Sequence, residues 1–187
     1  RAAQIAQDRV DRIDTRQLSI SAEEVNLPDE SVLVQLNYRN IEAVYYRLLK
    51  LDFELKDQEI NYDRAAQLSK YLAMRPYRAS TINLATNDDF QAHLSEFALD
   101  DLPKGMYRLL VSDNAEFKTD NDQRVSWVVF SISGMATMEL EYDLDEKHYQ
   151  IVDRETGSPL SDVTIAQYGS ERDNETLRYK KIQDLAP

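Results

Sequence analysis

His93 and His148 are the only two histidines available for general-base or metal chemistry in this chain. An imidazole does such work only when carboxylates, a nucleophile or further ligands converge on it. His93 lies inside an alternating stretch from Phe90 to Leu99, and His148 stands just ahead of a turn-rich segment. Both read as ordinary surface or turn histidines. Cysteine is absent, which removes disulfides, zinc–thiolate sites and a cysteine nucleophile from this stretch. No Gly-x-Ser-x-Gly elbow occurs, and four glycines leave little material for a phosphate-cradling loop. The acidic run from Asp113 to Asp122 offers oxygens suited to calcium, but its spacing is not that of an EF-hand and no glycine lies at its centre. It reads as a solvated loop. Asn174-Glu175-Thr176 matches a glycosylation acceptor, a pattern short enough to be frequent by chance. No catalytic, cofactor-binding or metal-ligating residue is singled out, and the expectation is a chain that is not an enzyme and carries no cofactor.

The aromatic residues are the remaining candidates. Eleven tyrosines accompany one tryptophan, with Tyr45, Tyr46, Tyr71 and Tyr77 grouped around a helical segment. A tyrosine-rich, acid-rimmed face suits carbohydrate or a protein partner. The plainer reading is that tyrosines fill a core and send their hydroxyls to its rim, and that Trp127 is core. Net charge is −12 with a pI near 4.6, a surface that repels phosphate backbones and argues against nucleic acid. The longest apolar runs, such as Trp127 to Phe130, are too short to span a bilayer, so no membrane contact is expected. Arg1 is not a natural start, so the absence of a leader leaves the destination open.

The elements that must position these residues are mostly strands. Ala2, Ile5, Ala6, Val10 and Ile13 recur at helical spacing and predict an amphipathic linker helix over 1–17. From Leu18 the period becomes two. Leu18, Ile20, Val25 and Leu27 flank a turn, Val32, Val34, Leu36 and Tyr38 alternate with Ser31, Leu33, Gln35 and Asn37, and Val44 to Leu51 follows after Arg39-Asn40. An inserted helix is expected over about 61–74, with Asn61 as its cap and Pro76 beyond its end. Strands resume at Tyr77 to Ala85, Phe90 to Leu99, Gly105 to Asp113, Val125 to Ile132 and Met135 to Tyr142. The apolar run at 125–132 predicts a strand buried on both faces or crossing between sheets. About seven strands with regular turns predict an antiparallel β-sandwich.

Further on, Tyr149 to Tyr168 reads as a strand, a turn over Asp153 to Gly157, and a second strand, with Ile151, Val163 and Ile165 as its apolar side chains. This segment resembles the opening hairpin of a macroglobulin (MG) domain. Leu102-Pro103-Lys104-Gly105-Met106-Tyr107 likewise resembles the MG pattern Leu-Pro-x-Gly-x-Tyr that leads into an apolar strand. Together these segments make the chain similar to the bacterial alpha-2-macroglobulin family over most of Leu18 to Tyr168. The resemblance implies an MG, immunoglobulin-like β-sandwich over 18–142 and the beginning of a second, incomplete MG-type domain over 143–187. Residues beyond about Gly169 are then expected to pack poorly.

The same resemblance implies a role. The family's proteins are similar to protease traps, in which stacked MG domains form a scaffold, a bait segment is cut, and a thioester of Cys-Leu-Glu-Gln type reacts in many members. No such motif and no bait segment occurs here. The implied function is a non-catalytic scaffold module of a protease-trapping envelope protein, periplasmic or outer-membrane-associated. Its expected partners are neighbouring MG domains, and a target protease through the whole parent. The alternative is a carbohydrate-binding or adhesion module, which calls for a flat row of exposed aromatics on one sheet. A scaffold calls for apolar exposure near the termini.

Overall fold

The computed structural model describes residues 13–51, 59–61, 63–85, 89–119, 124–143, 146–173 and 176–185. Most of the expected linker helix falls outside this set. Ile13 and Asp14 are helical, and strand pairing already begins at Gln17.

Two sheets face each other. The smaller has the order β1-β3-β7, built from Gln17–Ala22, Val32–Arg39 and His93–Leu99. The larger has the order β2-β9-β8-β4-β6, built from Val25–Asn26, Val125–Ile132, Gly105–Ser112, Ala43–Leu51 and Arg78–Asn83. Period-two alternation explains which side chains meet. Val32, Val34, Leu36 and Tyr38 of β3 point into the sandwich against Val44, Tyr46 and Leu48 of β4, Tyr107, Leu109 and Val111 of β8, and Phe130 and Ile132 of β9. The chain is mainly β, and its fold class is the immunoglobulin-like MG type.

One expectation at the sandwich edge is corrected. Leu18 to Leu27 does not fold as a simple hairpin: β2 leaves the first sheet and pairs parallel to β9, Val25 opposite Ser131. The chain thereby turns a corner of the sandwich.

The helix α1 spans Arg64–Ala73, with Asp63 rather than Asn61 as its cap; the Asp63 carboxylate accepts from the amides of Ala65 at 2.9 Å and Ala66 at 3.5 Å. Two of the orphan donors of the first turn are satisfied in this way. Tyr62 lies outside the described residues. The helix packs on the outer face of the larger sheet, where Leu68 and Tyr71 join Leu49, Leu110, Phe117 and Val125 in a second core. This explains the apolar run at 125–132: β9 faces the sandwich on one side and the helix layer on the other. Trp127 belongs to this outer layer, half-buried, and not to the sandwich core.

The Leu-Pro-x-Gly-x-Tyr segment has a physical reason. Leu102 is buried, Gly105 has a φ of 149°, and a Cβ there would meet Lys50 Cε at 3.1 Å. Tyr107 is fully buried, and its hydroxyl donates to the carbonyl of Pro103 at 2.6 Å. The turn and the strand it launches are pinned by one side chain.

Beyond Ile132 the pairing becomes local. β10 (Met135–Asp143) pairs with β11 (Glu146–Asp153) as a two-stranded ribbon, so Met135 to Tyr142 is not a strand of either sandwich sheet. The turn after β11 is held by Asp153, whose carboxylate accepts from the amides of Glu155 and Thr156 and from the Thr156 hydroxyl. Gly157, at a φ of 72°, completes it. The returning arm is shorter than expected. Val152 bridges Pro159 and the Leu160 amide donates to Ile151, but Asp162 takes a positive φ and the chain departs. Among the described side chains of this ribbon Val152 is buried, and Ile151 is half-buried. Then β12 (Ile165–Asp173) pairs with β13 (Thr176–Leu185), and β13 also takes β5 (Glu59–Asn61) on its other edge. The described residues after Gly169 are strand, with Lys181 to Asp184 exposed.

Candidate interaction surface

The structure places the sequence-derived candidates apart. His93 stands at the start of β7, with Nε2 2.9 Å from Asp89 Oδ1 and its ring 5.5 Å from that of Tyr38. The amide of Gln91, ahead of His93 itself, holds the Asp89 carboxyl below the usual carboxylate range. The pair ties Asp89 to the first residue of β7. His148 lies on a different sheet, exposed on β11 opposite Leu140. Among the described residues no three His, Asp or Glu gather as a metal site. The described part of the acidic loop is internally tied: Asn114 Oδ1 accepts from the Lys118 amide at 2.9 Å, its Nδ2 donates to the Lys118 carbonyl, and Phe117 is buried. Residues 120–123 and Asn174 lie outside the described set.

The grouped tyrosines do not form one face. Tyr46 stacks on Phe97 inside the sandwich at 5.9 Å, Tyr71 meets Trp127 edge-on in the helix layer at 6.1 Å, and Tyr77 is exposed beside Tyr107 at 6.0 Å. Tyr38 sends its hydroxyl to the Ala85 carbonyl at 3.1 Å, and Tyr107 sends its own to Pro103. The reading of tyrosines as core residues with rim-seeking hydroxyls holds for these two. Burial pushes the Tyr107 and Tyr71 hydroxyls above the ordinary phenol range.

Arginines were not singled out by sequence, yet they organise the helix layer. Arg64 lies 3.8 Å over the Trp127 ring and donates to the Val125 carbonyl at 2.7 Å. Arg108 lies 3.8 Å over Tyr71, and Arg47 donates to the Met74 carbonyl at 2.9 Å. Burial lowers the Arg108 pKa, and its buried Nε has no hydrogen-bond partner among the described residues. Each cation–π contact is worth about 0.5–2 kcal/mol. The signal was available: Arg47 and Arg108 occupy outward positions of strands whose inward positions are apolar, next to other large outward residues.

Exposed apolar side chains occur on the sandwich, at Leu33 of β3, Leu94 of β7, Tyr77 and Phe90, and also beyond it. Ile13 precedes β1; Met135, Met138 and Tyr149 line the β10–β11 ribbon; Leu160 and Ile182 follow. Among the described residues, the exposed aromatics Tyr77, Phe90 and Tyr149 sit on three separate segments and form no row on one sheet. No described helix is long and apolar enough to cross a membrane.

A mainly β module with an MG-type sandwich, a helix layer on one sheet and a two-stranded ribbon beyond it defines the class of protein. No family model and no curated protein matches the sequence. Among solved structures, it resembles native alpha-2-macroglobulin from Escherichia coli spanning domains MG0-NIE-MG1, with 12% identity, a TM-score of 0.55, and coverage of 92% of this chain and 61% of that chain. Salmonella alpha-2-macroglobulin reacted with methylamine matches at 11% identity over 92% of this chain and 14% of that chain, with a TM-score of 0.38. A CARDB domain from Pyrococcus furiosus, in complex with di-metal ions, matches at 12% identity over 63% of this chain and 87% of that one, with a TM-score of 0.34. At such identity the first likeness is one of fold, and the superposition of the other two is too loose to carry an argument.

Proposed function

We propose that this chain is a non-catalytic scaffold module of a bacterial alpha-2-macroglobulin-like protease-trapping envelope protein, located in the periplasm or at the outer membrane. The observation that carries the reading is the exposure of Met135, Met138 and Tyr149 along the β10–β11 ribbon. A two-stranded ribbon cannot bury both faces by itself, and such side chains suit docking onto a neighbouring domain of the same parent. The fold likeness and the buried Leu102–Tyr107 turn support the family assignment.

The test uses the full parent protein challenged with a protease. A trap retains protease that still cleaves small substrates but not large ones. The Met138→Asp/Tyr149→Asp variant is expected to lower the trapped fraction several-fold, while the isolated chain melts at an unchanged temperature. An unchanged trapped fraction in the variant would overturn the scaffold role of this ribbon, and a parent that retains no protease would overturn the trap. Envelope fractionation checks the location; recovery of the parent in the cytosol counts against it. The carbohydrate alternative has no observation in its favour, since the aromatic row it needs is missing among the described residues.

A further inference from the structure

Among the described residues ahead of β1, Ile13 to Arg16 join no strand ladder. They are held by side chains that reach for their carbonyls. Asn40 Nδ2 donates to the carbonyls of Ile13 at 2.7 Å and Thr15 at 3.3 Å, and Arg39 Nε donates to Thr15 at 3.2 Å. Arg124 Nε donates to the Arg16 carbonyl at 3.2 Å. The Arg16 guanidinium itself reaches Asp113 Oδ2 at 3.4 Å, where the Asp113 side chain is 1% exposed and that of Arg16 48%.

These donors come from two places that sequence keeps far apart: the β3–β4 turn, and the two ends of the β8–β9 loop. Asn40 takes a φ of 56°, which turns the chain tightly between β3 and β4. Asp113 is shared between loop and strap, because its Oδ1 accepts from the Arg124 amide at 2.9 Å and from Asn114 Nδ2 at 3.1 Å. Arg124 is shared in the same way, its amide serving Asp113 and its side chain serving Arg16. Beside them lies a cavity of about 300 Å³ lined by Arg16, Asn40, Ile41, Glu42, Tyr45 and Asp113, among others.

We propose that Ile13–Arg16 is a releasable strap, and that Asp113 and Arg124 couple its seating to their own pairing at the base of the β8–β9 loop. The strap can leave without breaking the β1–β3 ladder, which begins at Gln17 opposite Arg39. Its departure strips a buried carboxylate of its cationic partner, a costly state that favours reclosing or a rearranged loop. Recognition is by carbonyls and one arginine, so the cradle fits an arginine-bearing segment, and the resident occupant is the chain's own. Because coupling of this kind is reciprocal, a change in the loop must loosen the strap by the same factor that loss of the strap loosens the loop.

Trypsin cleavage of the full chain after Arg16 reads the strap directly. Asp113→Asn is expected to speed that cleavage about tenfold, and Arg39→Ala/Asn40→Ala, which leaves the loop intact, to speed it as well. Hydrogen exchange at the Arg124 amide reads the loop, and Arg16→Ala is expected to accelerate it by a similar factor. The near-UV signal of Trp127 confirms that each variant is folded. Cleavage after Arg16 as fast in the wild type as in both variants overturns the strap. An Arg124 amide indifferent to Arg16→Ala overturns the coupling. Should Asp113→Asn unfold the chain, the Arg39/Asn40 variant and the Arg16→Ala exchange decide both points.

Discussion

In the sandwich, β3 buries Val32, Val34, Leu36 and Tyr38 almost completely, whereas the β10–β11 ribbon, built of strands as long, buries Val152 among its described side chains. Both regions satisfy their backbone ladders. The difference lies in what the ladders are for. In the sandwich each strand carries one face against the opposing sheet, and β4, β8 and β9 carry a second face against α1. In the ribbon the ladder is the structure, and its side chains remain available. Hydrogen bonds alone contribute little net stability, so a paired but unburied region depends on whatever docks against it.

The largest test of this comparison is Leu36→Ala against Tyr149→Ala. Leu36 is fully buried, and its truncation is expected to cost about 2–5 kcal/mol in urea unfolding. Tyr149→Ala should stay within about 0.5 kcal/mol. Equal losses would show that the ribbon shares the sandwich core, and the contrast would fall. A somewhat smaller effect is expected at Leu68→Ala, about 2 kcal/mol; a negligible loss there would mean that the helix layer is ornament on the sheet and not a second core. Tyr107→Phe sharpens the picture within the sandwich. It removes only the hydroxyl's bond to Pro103 and should cost about 1 kcal/mol, visible as a lowered urea midpoint with an unchanged slope.

The smallest expected effect is a pH response confined to the ribbon's turn. The Thr156 amide, then its hydroxyl, then the Glu155 amide and the nearby Lys104 hold the Asp153 carboxyl below the usual range. A group depressed in the folded state stabilises it fully above the unfolded value, about 3.9, and that contribution is lost as pH falls through the folded value. The Thr156 amide resonance should therefore shift in acid, below about pH 4, while the sandwich resonances stay put. Asp153→Asn should abolish the shift. A sandwich that melts in step with this titration would tie the two regions together.

What the sequence showed, and what it hid, follows the same division. Strands such as Val32–Arg39 alternate cleanly because one face meets a core and the other meets water, and the Leu102–Tyr107 turn carries its own Pro and Gly punctuation. The outer core was half legible: the apolar run at Val125–Ile132 signalled two buried faces, but arginines stacked on aromatic rings do not register as apolar. The parallel β2–β9 pairing could not be read, since two residues carry no period. Nor could the departure at Asp162, where one residue in a left-handed conformation overrides a well-patterned second strand. The strap is written in polar side chains scattered from Arg16 to Arg124, and no local pattern joins them.

Strand pairing also sets the order in which this chain must assemble. β3 pairs with β7 and β4 with β8, partners separated by more than a whole intervening helix and strand, while β10 meets β11 across a single tight connection. Local hairpins form in about 1–10 μs, whereas sheets that close over long loops take roughly milliseconds to seconds. The ribbons can therefore form and dissolve many times before the sandwich closes. The slow step is the arrival of β7 and β8 beside strands that emerged far earlier in the chain.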